Sequence, residues 1–275
     1  MHDLGRRRFL AGGVSVGAAL LAGPRRLAAQ TAPASAGPAD AKLIEDLVAA
    51  NHILVDQGVL DGYGHVSVRH DRDPNRYLMS RSIAPELVTA ADVMEYDLDS
   101  SAVDARGRGS YLERFIHGEL YKARPDVKAV VHSHSPSVIP FGVTGVPLRP
   151  LYHMSAFLGA GVPVFDIRTA SGEMTDMLVR NATLGRALAQ ALGTRAVALM
   201  RGHGNVVVGP AVQVAVYRAV YTELNARLQL QALTLGGPLT YLAPEEAEKI
   251  NARAGPDGPG IVRSWELWKR KALAR

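Results

Sequence analysis

The chain has 275 residues, 47% apolar and 21% charged, a composition that excludes disordered, fibrous and disulfide-stapled classes and fits a folded globular protein. Most of its formal charge of +5 lies in the first thirty residues, where Arg6, Arg7, Arg8, Arg25 and Arg26 stand against Asp3 alone, so the rest is nearly neutral and argues against nucleic acid as a partner. With no cysteine, thiolate chemistry is excluded as well.

Residues 1–30 place three arginines before Phe9-Leu10, then a weakly apolar Gly/Ala stretch to about Gly23, then small residues suited to cleavage near Ala28-Ala29 or Ala34. The stretch is too short for a membrane span and is similar to a twin-arginine export signal. The expectation is a periplasmic or otherwise exported protein with no membrane span after signal removal. Residues 31–40 read as a small-residue linker and residues 41–275 as one domain. Asp40 is placed to cap a helix in which Leu43, Leu47 and Leu54 recur at helical spacing, ending at Gly58 and Gly62-Tyr63-Gly64. His65 to Arg69 (HVSVR) alternates like a strand, and Asp73-Pro74-Asn75 marks a turn before Tyr77-Leu78-Met79. Val93 to Leu98 is a further strand, and Tyr111 to Ala123 a helix that stops at Arg124-Pro125. Strands follow at Val127 to Val131 and Val162 to Ile167, then an amphipathic helix from Thr175 to Leu192 closed by Gly193. Ala196 to Met200 and Val206 to Val208 are strands around Arg201-Gly202-His203-Gly204. Pro210 opens a helix to about Leu235, and Ser264 to Arg275 is helical. Strands and helices interleave without a strict βαβ rhythm, which predicts an α/β protein with helices on both faces of one sheet.

Val127 to Pro136 reads VKAVVHSHSP. Residues i and i+2 of a strand share a face, so His132 and His134 aim both rings at one point. Imidazoles suit zinc and other transition metals, and a catalytic site needs about three protein ligands and an open position. Glycines on both sides of His203 allow close approach of backbone or ligand. Glu113 and His117 share a face of the preceding helix.

Glu113, His132 nineteen residues later, His134 and a distant Gly-His-Gly at His203, with Ala-Arg-Pro-Asp-Val-Lys-Ala-Val-Val before the pair, resemble the class II aldolase/adducin family from about Lys42 to Leu235. The resemblance implies a three-layer α/β/α sandwich around one mostly antiparallel sheet. It also implies a divalent metal on His132, His134 and His203, zinc first, with manganese, iron or cobalt as alternatives. Glu113 matches the acid/base carboxylate. Family members are commonly homotetramers with sites at subunit boundaries, which makes Tyr152 and His153 candidates on a loop that often supplies a proton donor.

In the family the metal acts as a Lewis acid that stabilises an enediolate, reached by retro-aldol cleavage or by decarboxylation. Sugar-phosphate members carry Gly-Asn-x-Ser, Thr-Gly and Ser-Ser stretches that cradle phosphate. Here the positions read Gly64-His65-Val66-Ser67, Ser80-Arg81-Ser82-Ile83 and Tyr111-Leu112 before Glu113. Little of the cradle remains. Arg81 offers a planar fork for a carboxylate, His65 adds a donor, and Ser80 and Ser82 complete the expected substrate-binding set. The expected substrate is a small unphosphorylated carboxylate. Resemblance to the decarboxylase branch implies a hydroxylated aromatic or hydroxymuconic-semialdehyde-type acid. The alternative is an aldolase or epimerase acting on a non-phosphorylated sugar or hydroxy-keto acid.

Overall fold

Asp40 accepts the backbone N–H groups of Lys42 and Leu43 and so starts helix α1 (Ala41–Asp56), whose Leu47, Ala50, Ile53 and Leu54 are fully buried. The computed structural model describes residues 33–253 and 255–274; the expected signal segment, residues 1–30, and the start of the linker lie outside them. The described part of the linker is tied down, with Ser35 Oγ donating to Glu95 at 2.6 Å and Arg76 donating to the Ala34 carbonyl at 2.9 Å.

Seven strands, β1 (His65–Arg69), β2 (Arg76–Ser80), β3 (Val93–Asp97), β4 (Ala129–Ser133), β5 (Val164–Phe165), β6 (Val197–Met200) and β7 (Gly204–Gly209), form one sheet in the order β3-β2-β1-β4-β7-β6-β5. Every pairing is antiparallel except β5 with β6. The helices after α1 are α2 (Phe115–Ala123), α3 (Ile139–Thr144), α4 (Ile167–Ser171), α5 (Ala182–Leu192), α6 (Val212–Thr234), α7 (Pro244–Asn251) and α8 (Pro259–Leu273).

Successive strand residues alternate between two cores, as a pleated sheet covered on both sides requires. Val66, Val131 and Val207 pack with Leu54 of α1, Ala219 of α6 and Trp268 of α8. Val130, Ala198 and Val208 pack with Leu120 of α2 and Leu188 of α5. Burying each large apolar side chain contributes about 1.5–3 kcal/mol. The result is the expected three-layer α/β/α sandwich around a mostly antiparallel sheet. Among the described residues, no helix is long and apolar enough to cross a membrane.

The register sets the site. His65 lies opposite His132, and His132 opposite Val206, so the end of β4 sits between β1 and β7. Three expectations change. The helix expected from Tyr111 is broken: Leu112–Arg114 is a 3₁₀ turn with Glu113 at φ −90°, ψ 17°, and the α-helix begins at Phe115. The helix expected from Thr175 begins at Ala182, where the Asn181 side chain accepts the Leu184 N–H. The strand expected over Val162 to Ile167 shrinks to two residues, because it pairs only with β6 and Asp166 turns to cap α4. Helices α3, α4 and α7 were not expected.

Candidate metal centre and its cavity

Four side chains meet where β4 and β7 end. Ligand atoms of Glu113, His132, His134 and His203 all lie within 4.8 Å of one another. Glu113 Oε2 is 3.4 Å from His132 Nε2 and 3.3 Å from His203 Nε2, and the Nε2 atoms of His203 and His134 are 3.1 Å apart. The second nitrogens fix the tautomers. His132 Nδ1 donates to the Asn205 carbonyl at 3.1 Å, and His203 Nδ1 donates to the Met177 carbonyl at 3.0 Å. Both Nε2 lone pairs therefore face the centre. Among the described residues, the buried His132 Nε2 has no hydrogen-bond partner. Lone pairs converging this closely repel unless a cation or proton stands between them. Three imidazoles and a carboxylate so arranged fit a divalent transition metal.

Backbone close to the site is shaped to suit. A Cβ on Gly204 would come within 2.0 Å of the Ser133 carbonyl, so only glycine lets His203 lie beside His134. Gly64 has φ +88°, and a Cβ there would meet the His132 carbonyl at 2.9 Å. The segment before α5 crosses the site, and the Val179 N–H donates to Glu113 Oε1 at 2.8 Å. Burial works to raise the Glu113 carboxyl pKa, but the adjacent His132 and His203 rings outweigh it and hold the group ionised, well below the usual carboxylate range. Burial lowers the His203 pKa, and the Glu113 carboxylate more than restores it, leaving it raised. Burial and the neighbouring His132 and His203 rings push His134 down to about 4.

A cavity of about 360 Å³ opens beside this cluster. Tyr63, His65, Ser82, Ile83, Ala84, Tyr111, Leu112 and Leu178 line it together with Glu113, His132 and His134, and among the described residues no lysine or arginine does. Its walls are aromatic and aliphatic.

Glu113, His132, His134 and His203 come together, and His65 and Ser82 join them at the cavity. Ser80 does not line it. Its hydroxyl bonds to that of Tyr111 at 3.2 Å, which also donates to the Ile83 carbonyl. Arg81 is not in the lining either: Asp92 takes its guanidinium at 2.6 Å. Tyr152 rests near Tyr221, and His153 lines a separate cavity with Tyr217 and Arg218. The Tyr152 hydroxyl is buried and has no hydrogen-bond partner among the described residues. Sequence reasoning missed the Met177 and Asn205 carbonyls and the Val179 N–H, because main-chain groups carry no residue signature. Asn181, an N-cap residue type, was the one available sign that the helix starts late.

The model of the Class II Aldolase and Adducin N-terminal domain matches residues 45–230. Decarboxylase tropJ of Talaromyces stipitatus is 40% identical over 249 residues, 83% of this chain and 93% of that protein. The 3,4-dihydroxyphthalate decarboxylase of Arthrobacter keyseri is 31% identical, covering 84% of this chain and 92% of its own. Among solved structures, an aldolase II superfamily protein from Pseudomonas syringae superposes with a TM-score of 0.72 at 23% identity, over 86% of this chain and 94% of that one, a likeness of fold. The chain belongs to the class II aldolase and adducin family, on its decarboxylase branch.

Proposed function

We propose that the protein is a metal-dependent lyase that decarboxylates a hydroxylated aromatic or hydroxymuconic-semialdehyde-type carboxylic acid. The observation that carries this reading is a cavity beside the three-histidine cluster with flat aromatic and aliphatic walls and no lysine or arginine in its lining. Where sugar-phosphate members place the polar residues that cradle phosphate, this cavity is lined by His65, Tyr111 and Leu112. The two decarboxylases at 40% and 31% identity support the same reaction class.

His132, His134 and His203 would hold the metal, with zinc the first choice, and when bound it supplies a Lewis acid for two adjacent oxygens of the substrate. Glu113 is ionised and anchored through Oε1 by Val179, which leaves Oε2 to take the proton of a substrate hydroxyl. The carbon–carboxylate bond then breaks, its electron pair stays on the ring or enediol carbon, and carbon dioxide leaves. Glu113 returns its proton to that carbon, and solvent restores the hydroxyl proton. Tyr111, Leu112 and Leu178 exclude water from the developing carbanion.

The test supplies hydroxylated aromatic acids to zinc-loaded protein and follows carbon dioxide and the decarboxylated product. Release that disappears in His132→Ala is expected. No release across the panel would overturn the proposal, and reversible aldehyde formation would establish the aldolase reading instead. We also read the protein as an exported homotetramer, checked by the mass of the mature chain in a periplasmic fraction and by light scattering.

A further inference from the structure

A second set of buried polar groups adjoins the metal cluster and binds none of its ligands. On β1, His65 and Ser67 share a face; on α2, His117 and Tyr121 are one turn apart. The two columns interlock. His65 Nδ1 lies 2.6 Å from His117 Nε2, His117 Nδ1 lies 2.6 Å from Ser67 Oγ, and Ser67 Oγ lies 2.8 Å from the Tyr121 hydroxyl. Ser67 and His117 are fully buried, and Tyr121 is 1% exposed. Tyr111 and His132 hold the His65 ring from either side, at centroid distances of 4.6 and 5.1 Å.

A chain of neutral hydrogen bonds can run in two directions, and its far end decides which. Among the described residues the Tyr121 hydroxyl meets the Ser67 hydroxyl and the Val130 backbone N–H, and the latter can donate to its oxygen but cannot take its proton. A buried O–H left without an acceptor is costly, so the Tyr121 proton goes to Ser67 Oγ. Ser67 must then donate to His117 Nδ1, and His117 Nε2–H to His65 Nδ1. The only ring nitrogen left to carry the His65 proton is Nε2. His65 lines the cavity, and its Nδ1 is turned away to His117. Burial above all pushes the His117 imidazole down to about 3, which keeps that link neutral.

We propose that Tyr121, Ser67 and His117 are positioning residues that lock His65 in the tautomer protonated at Nε2, so that the cavity wall presents a fixed N–H donor to an anionic oxygen of the substrate. With no lysine or arginine in the lining, this donor selects a carboxylate or phenolate oxygen and disfavours a substrate that presents a cation or an N–H at the same place. The inference rests on the decarboxylase reading for the substrate's charge, but the tautomer itself does not depend on turnover.

The experiment labels the zinc-loaded full chain with ¹⁵N-histidine and reads the ring nitrogens of His65 by two-bond proton–nitrogen correlation. The expected spectrum shows a protonated Nε2 and a bare Nδ1. In Tyr121→Phe the directing proton is gone, and His65 should populate both tautomers while zinc content is kept. KM for an active acid should rise about tenfold, with a smaller change in kcat. A wild-type His65 protonated at Nδ1 overturns the inference, as does an unchanged single tautomer in Tyr121→Phe. If that variant does not fold, the wild-type spectrum still decides. Absent turnover with the expected tautomer would count against the decarboxylase reading and leave the relay standing.

Discussion

His132 belongs to one histidine cluster and touches a second; His65, His117 and His132 are buried, His134 and His203 partly so. In the first, the outer nitrogens of His132 and His203 are tied to backbone carbonyls, and Nε2 of His203 faces Nε2 of His134. Around His65 and His117, nitrogens meet donors and acceptors in sequence until the chain ends at Tyr121. The two clusters differ most in how their nitrogens are satisfied. An incomplete set of inward lone pairs costs stability and is tolerated where a cation completes it. A closed set costs little and restrains side chains that must keep one orientation. Histidine content alone would not separate the binding cluster from the positioning one. The partners of the second nitrogen do.

The largest effect should come from removing a member of the incomplete set. His132→Ala is expected to lose bound metal, by elemental analysis, and to bring turnover below detection. Retained metal at wild-type stoichiometry would break the assignment of His132. Glu113→Gln should lower kcat by about 10²–10⁴ while the three histidines keep the metal, because the amide retains the Val179 contact but cannot accept a proton. Unchanged turnover would remove Glu113 from the proton path.

The same contrast explains what the sequence made legible. His132 and His134 on a strand and His203 between glycines were visible because side-chain identity and spacing carry the chemistry. The two sheet faces were visible because apolar residues alternate. Residues 175–181 were misread as helix, since their composition is compatible with one. There the Val179 N–H bonds to Glu113 and the Met177 carbonyl to His203, with Met177 itself at φ +67°. Main-chain groups spent on the site cannot also serve a helical ladder. Glu113 and His117 were expected on one face; the break at Glu113 turns them apart, one into each cluster. The relay was half legible: HVSVR gives the strand column, but nothing in the sequence says that His117 and Tyr121 dock on it.

Smaller effects sharpen the contrast. Gly204→Ala forces a Cβ against the Ser133 carbonyl, so a loss of about 1–3 kcal/mol is expected, roughly 2–12 °C in Tm for a domain of this size. Metal affinity should weaken with it, and an unchanged Tm would mean that β4 and β7 yield. Acid should act on the closed set. The folded-state pKa of His117, about 3, lies below its ordinary 6.5, so the unfolded chain takes up a proton first as pH falls. Above about pH 6.5 this residue contributes no pH dependence; between 6.5 and 3 it lowers stability by at most about 1.4 kcal/mol per pH unit. Denaturation of chelator-treated protein at pH 7 and pH 5 reads the loss. In His117→Gln that component should vanish, and an identical pH slope in wild type and variant would contradict it.

Arg81 offers the smallest effect and the cleanest division between residue type and placement. In sequence it is the natural carboxylate fork, between two serines near the end of β2. In the structure its Nε donates to Asp92 at 2.6 Å, and its side chain is 38% exposed. Asp92 also accepts from the Thr89 hydroxyl and backbone N–H, so the pair closes a surface turn. A half-exposed pair of this kind contributes about 0–1 kcal/mol. Arg81→Ala should therefore change Tm by no more than a few degrees and KM for an active acid by less than about threefold. A guanidinium that held the substrate carboxylate would behave otherwise: its loss would cost about 1.5–3 kcal/mol of binding, a tenfold or greater rise in KM. Such a rise would move carboxylate recognition from His65 to Arg81 and require the Asp92 pair to open when substrate binds.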